Sequence, residues 1–129
     1  MNTTTPNWTD KTILIVEDVD SSRRYFEAAL KLTKANLIYA RNGQEAIDVL
    51  ERKQGIDLIL LDIYLPLVSG IEVLKHIRKT DPKIPIIVQT AYTGYHNEKE
   101  ALQAGANVFL SKPVSLTSLY LEIEQFFSR

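Results

Sequence analysis

No cysteine occurs in the 129 residues, so neither a disulfide framework nor a thiolate metal site can hold this chain together. Blocks of Lys or Arg are missing as well. A formal charge of -1 and a pI near 6.1 supply no basic field for a polyphosphate backbone, so nucleic acid is not expected as a direct partner. No apolar run approaches membrane-spanning length, and Met1 to Asp10 lacks the charged-then-apolar layout of a signal peptide. The expectation is a soluble cytoplasmic protein with no membrane contact. Asn2-Thr3-Thr4 and Asn7-Trp8-Thr9 match the glycosylation pattern, but without an export signal both read as chance matches.

What is present is ordinary globular material: 45% hydrophobic and 24% charged residues, in a length that holds one domain with a real core. Residues 1–10 read as a polar lead-in with Trp8 as its one anchor, and residues 11–129 as a single domain. Within that domain, short apolar runs recur, and most end at a residue that carries chemistry. Leu58 to Leu61 is too short for a typical helix and reads as a strand buried on both faces, stopping at Asp62. Thr12 to Val16, β-branched and apolar, stops at Glu17-Asp18 in the same way. Ile84 to Gln89 delivers Thr90, Asn107 to Leu110 leads to Ser111-Lys112-Pro113, and Asn36 to Ala40 is the remaining strand.

Helical spacing fills the intervals. Asp20, Ser21 and Ser22 offer N-cap chemistry ahead of Phe26, Ala29 and Leu30. Gly43 to Lys53 carries Ala46, Ile47, Val49 and Leu50 on one stripe, and Ile71, Leu74 and Ile77 give the next helix an inner face, closed by Asp81-Pro82. A polar helix from about Asn97 to Ala104 stops at Gly105. Leu116, Leu119, Tyr120, Ile123, Phe126 and Phe127 stripe a terminal one. Five strands alternating with five helices predict a parallel, doubly wound α/β sheet, because parallel strands need helical crossovers. In the order 2-1-3-4-5 the first and third strands are neighbours at the switch point, so Glu17, Asp18 and Asp62 converge in one crevice.

Three converging carboxylates repel strongly: two unit charges ~4 Å apart interact by ~4 kcal/mol at an effective dielectric of ~20. Lys112 supplies one balancing charge from the end of the fifth strand, and a divalent ion would supply the rest. An all-oxygen, water-accessible site suits Mg²⁺, with Asp18 and Asp62 as direct ligands and Glu17 acting through water. A carboxylate beside Mg²⁺, a lysine and a hydroxyl is what phosphoryl transfer to an aspartate requires. Asp62 is then the nucleophile, and Thr90 and Lys112 each engage a phosphoryl oxygen.

These features resemble the receiver domains of two-component response regulators and hybrid histidine kinases. Glu17-Asp18, Asp62, Pro66 and Gly70, Thr90, and Lys112-Pro113 stand at the family's positions, and the resemblance spans about Lys11 to Arg129. It implies a flavodoxin-like (βα)5 fold, a metal set of Glu17, Asp18, Asp62 and Tyr64, and a cis Lys112-Pro113 bond. It also implies that Asp62 takes a phosphoryl group from a phosphohistidine on a sensor histidine kinase or histidine phosphotransfer protein. The added charge would bias Thr90 and Phe109 and reshape the fourth helix, fifth strand and fifth helix, where a downstream effector is expected.

Two positions depart from the pattern: Ser69 stands where many members carry an acid, and Phe109 where Tyr is commoner. Tyr64 and Tyr92, two residues beyond Asp62 and Thr90, resemble the positions that set phosphoryl lifetime, and two rings there predict slow self-dephosphorylation. His76 and His96 have no ligand-spaced partner and are given no role. A Mg²⁺-dependent phosphatase of the haloacid dehalogenase type would also use a strand-end Asp with Thr and Lys. It would need a general acid where Tyr64 stands, so self-catalysed phosphorylation is expected in place of metabolite turnover. A receiver-like module that is never phosphorylated is the third alternative, and every pocket residue being present argues against it. With nothing after the terminal helix, the chain reads as a stand-alone receiver or as the receiver portion of a longer hybrid.

Overall fold

A computed structural model of the chain describes residues 5–53, 55–92 and 94–128. The Asn2-Thr3-Thr4 match, the first part of the lead-in and the final residue of the 11–129 domain therefore lie outside the described residues. In chain order the elements are β1 (Thr12–Val16), α1 (Asp20–Lys31), β2 (Asn36–Ala40), α2 (Gly43–Arg52), β3 (Leu58–Leu61), α3 (Gly70–Thr80), β4 (Ile86–Thr90), α4 (Tyr95–Ala104), β5 (Val108–Ser111) and α5 (Leu116–Phe127). The strands form one parallel sheet in the order β2-β1-β3-β4-β5.

Alternation along the strands builds two cores from one sheet. Leu14, Val16, Ile59, Leu61, Ile86 and Val88 face α2, α3 and α4, meeting Ala46, Val73, Leu74, Ile77 and Ala101. Ile13, Ile15, Leu58, Leu60 and Ile87 face α1 and α5, meeting Phe26, Leu30, Leu119, Tyr120 and Ile123. Each of these strand side chains is fully buried, a burial worth about 1.5–3 kcal/mol per Leu or Ile. Trp8 belongs to the second core: its ring packs edge-on against Tyr120 and Phe127, and its indole N–H donates to Glu124 Oε2 at 2.7 Å.

Several boundaries differ from the sequence reading for local reasons. β4 begins at Ile86, not Ile84, because Pro85 has no N–H for the ladder and the Ile84 N–H is turned to Asp81 Oδ1. Asn107 sits outside β5 because its side-chain oxygen accepts from the Ile86 N–H and from Arg78. The fourth helix starts at Tyr95, two residues ahead of Asn97, after Gly94 at φ 125°. The N-cap of α1 is Val19, with no side-chain cap: Asp20 lies in the first turn and pairs with Arg23, and Ser22 turns elsewhere. In α3 Val73 joins Leu74 and Ile77 as a fully buried residue of the inner face, with Ile71 partly buried against the same core, and Leu116 of α5 is exposed, outside the buried stripe. Lys112-Pro113 is cis, as the resemblance implies.

Candidate functional site

The site lies at the carboxyl edge of the sheet, where β1 and β3 run side by side and the chain crosses over in opposite directions from them. Backbone hydrogen bonds extend the ladder one residue past the strands. The Asp62 N–H donates to Val16 O, the Glu17 N–H to Ala40 O and the Lys112 N–H to Thr90 O, so the functional side chains inherit the sheet's rigidity. Behind Asp62 the chain turns back on itself. A Cβ at Gly70 would lie 2.3 Å from Ile63 Cα and 2.6 Å from Asp62 O, so only glycine permits α3 to start there. Ser69 caps that helix through the Glu72 N–H, which gives it a local task of its own.

Carboxylate oxygens of Glu17, Asp18 and Asp62 come within 4.8 Å of one another. Glu17 is fully buried, Asp62 is 5% exposed and Asp18 is open to solvent. Lys112 reaches into this group: its Nζ lies 2.6 Å from Glu17 Oε1, 3.1 Å from Ser22 Oγ and 3.3 Å from Asp62 Oδ2, which matches the three donors of an ammonium. Three carboxylates against one ammonium leave an excess of negative charge. Burial pushes the Asp62 carboxyl above the usual carboxylate range and Glu17 adds to the rise, while the Tyr64 N–H and Lys112 oppose it. An all-oxygen donor set with a solvent-facing member fits a hard divalent cation that keeps part of its water shell.

Thr90 ends β4 fully buried, its Oγ1 accepting from the Tyr92 N–H at 3.1 Å, just as Asp62 Oδ1 accepts from the Tyr64 N–H at 3.0 Å. From those two residues the rings of Tyr64 and Tyr92 rise and stack, with centroids 4.0 Å apart and planes at 33°. Tyr64 thus joins the site through its backbone next to Asp62, and its half-exposed ring faces Tyr92. Phe109 is half-buried against the α2–α4 core. Away from the site, His76 approaches Glu51 at 3.7 Å, an acidic neighbour that sequence spacing did not reveal.

Two members of the site were missed in the sequence reading. Ser22, expected as cap chemistry, instead accepts from Lys112. Gln89, counted as an ordinary residue of an apolar strand, is fully buried and donates to Glu17 Oε1 at 3.0 Å. Its being polar inside Ile86-Ile87-Val88 was the available signal.

Residues 13–124 match the family model for the response regulator receiver domain. A cyclic di-GMP phosphodiesterase of Thermotoga maritima is 41% identical over 112 residues, which are 87% of this chain and 30% of that protein. The polar-differentiation response regulator DivK of Brucella anthropi is 36% identical over 118 residues, 90% of this chain and 95% of that one. Among solved structures, the receiver domain of a sensor histidine kinase from Pseudomonas aeruginosa, with a magnesium ion coordinated in its active-site cleft, has TM-score 0.85 and 29% identity over 92% of this chain and 98% of that one. A co-crystal of the Saccharomyces cerevisiae histidine phosphotransfer signalling protein Ypd1 with the receiver domain of its downstream response regulator Ssk1 contains a chain similar at TM-score 0.84 and 30% identity, covering 96% of this chain and 91% of that one.

Proposed function

Because the chain belongs to the response regulator receiver domain family, the phosphoacceptor modules of two-component systems, we propose that Asp62 is its phosphoryl acceptor and that Glu17, Asp18, Thr90 and Lys112 complete the pocket. The observation that carries this reading is the ammonium of Lys112 shared between Glu17 and Asp62 at the switch-point edge. An Asp62 carboxylate oxygen attacks the phosphorus, the P–N bond of the donor phosphohistidine breaks, and the leaving imidazole nitrogen takes a proton. Lys112 exchanges its longest contact, to Asp62 Oδ2, for a phosphoryl oxygen, while the Thr90 hydroxyl donates to another.

Asp18 and Asp62 would hold Mg²⁺ directly and Glu17 through water, with Tyr64 offering its backbone carbonyl, since a neutral phenol is a poor ligand for a hard cation. When bound, that ion neutralises charge on the transferred oxygens. Donors of the class seen with the yeast relative, histidine phosphotransfer proteins, and sensor kinases are the proposed upstream partners, in the cytoplasm; no helix among the described residues is long and apolar enough to cross a membrane. Downstream, the phosphoryl charge draws Thr90, makes room for Phe109 to turn inward, and so changes the α4–β5–α5 surface offered to an effector. Lacking a hydroxyl, the Phe109 ring switches on packing alone. The chain modifies itself and turns over no metabolite, since Tyr64 stands where a phosphatase of this chemistry needs its general acid.

Incubation with a phosphorylated histidine phosphotransfer protein and Mg²⁺ tests the reading: label should move to the wild type and not to Asp62→Asn. Steady release of phosphate from small esters would instead favour the phosphatase.

A further inference from the structure

Among the described residues, a buried polar side chain in contact with the pocket has no task in this scheme. Gln89 is fully buried in β4, its Nε2 donates to Glu17 Oε1 at 3.0 Å, and its Oε1 has no hydrogen-bond partner. An apolar residue at this position would continue the Ile86-Ile87-Val88 run without stranding a carbonyl away from water, and a stranded carbonyl opposes folding. Stability alone therefore does not account for the carboxamide.

Glu17 shows what the amide does. One of its oxygens receives both Lys112 and Gln89, and the other receives the Val19 N–H at 3.1 Å. Val19 is the N-cap of α1 and lies in an exposed loop, so Gln89 is the donor to Glu17 that comes from the interior of the sheet. Without it, the buried carboxylate is held by a loop N–H and by the tip of a long, flexible lysine, and the two can pivot together. We propose that Gln89 is a positioning residue for phosphoryl transfer. Its amide N–H fixes Glu17, and through Glu17 the Lys112 ammonium, in register with Asp62. This rests on the reading of Asp62 as acceptor. Lys112 must move from Asp62 Oδ2 to a phosphoryl oxygen while keeping Glu17 and Ser22, and it can do so only if Glu17 stays where it is.

Gln89→Met keeps the length of the side chain and removes both polar ends. The expected result is a roughly tenfold slower phosphorylation by acetyl phosphate at saturating Mg²⁺, the size seen when an outer partner of a metal-site ligand is lost. The melting temperature without Mg²⁺ should be unchanged or higher, because the orphaned carbonyl leaves with the amide. Gln89→Leu, a second apolar variant at the same position, should behave alike and keeps the test available if Met packs poorly. A wild-type rate overturns the proposal, whether the variant melts lower, as a structural hydrogen bond would require, or melts as the wild type does. Failure of the wild type itself to gain phosphate overturns the reading of Asp62 and this proposal with it, and is told apart because position 89 is then unchanged.

Discussion

Opening the stack of Tyr64 on Tyr92 should shorten the life of the phosphoryl group. Hydrolysis needs a water in line with the bond to Asp62. The two rings belong to the residues whose N–H groups hold Asp62 Oδ1 and Thr90 Oγ1, so with Asp62 as the proposed acceptor they would flank that approach. At a centroid separation of 4.0 Å and a tilt of 33° they make an aromatic contact worth about 0.5–1.5 kcal/mol beyond area burial. With Tyr64 48% and Tyr92 57% exposed, the lower half of that range applies, at most about 1 kcal/mol, which corresponds to a rate change of up to roughly fivefold. Either single variant, Tyr64→Ala or Tyr92→Ala, removes the contact, so each should raise the dephosphorylation rate by roughly two- to fivefold. The Tyr64→Asn, Tyr92→Ala double variant should gain less than the product of the two. The assay is loss of phosphorylated chain with time by intact mass, after removal of donor. Rates for both singles equal to wild type would refute the gate, and strictly multiplicative singles would show two rings acting separately.

Other consequences follow from the same geometry. Mg²⁺ at a hundredfold excess over its dissociation constant should stabilise the fold by about 2.7 kcal/mol, a melting shift of about 10 °C, and Asp18→Asn should abolish that shift. Without Mg²⁺, Asp62→Asn should melt higher than wild type at neutral pH. The folded-state pKa of Asp62 is raised, so its favourable contribution is complete below the unfolded value of about 3.9 and is lost as pH rises through the folded value. The difference should vanish in acid, and a variant less stable than wild type at neutral pH would contradict it. Arg78 clamps the end of α3 to the α4–β5 connection through Gly105 O and Asn107 Oδ1 and also donates to Asp81 O at the end of its own helix; Arg78→Met should cost about 2 kcal/mol in urea titration and leave phosphorylation unchanged.

Sequence alone carried the architecture far because four of the five strand runs end at a chemically marked residue, and the parallel order then forces Glu17, Asp18, Asp62 and Lys112 to one edge. What it could not carry were meetings between side chains from different elements. Ser22 looks like a capping residue, since Asp20-Ser21-Ser22 fits a helix start; that its hydroxyl serves Lys112 depends on where α1 sits across β5. Gln89 is one residue before Thr90, and only the burial of both strand faces turns its amide from a solvated group into a partner of Glu17. The positions of Tyr64 and Tyr92 were legible by spacing from Asp62 and Thr90, yet the contact between their rings needs two loops brought together. Polar helices are equally hard to bound: α4 buries only Ala101, which leaves little periodicity from which to locate its start.

Intact-mass analysis after exposure to acetyl phosphate tests the central claim most directly, that the strand-end carboxylates and Lys112 form one Mg²⁺-dependent phosphoryl pocket on Asp62. The account predicts a single phosphoryl adduct on the wild type with Mg²⁺, none when the metal is chelated and none on Asp62→Asn. An adduct retained by Asp62→Asn, or formed equally well without metal, would contradict it.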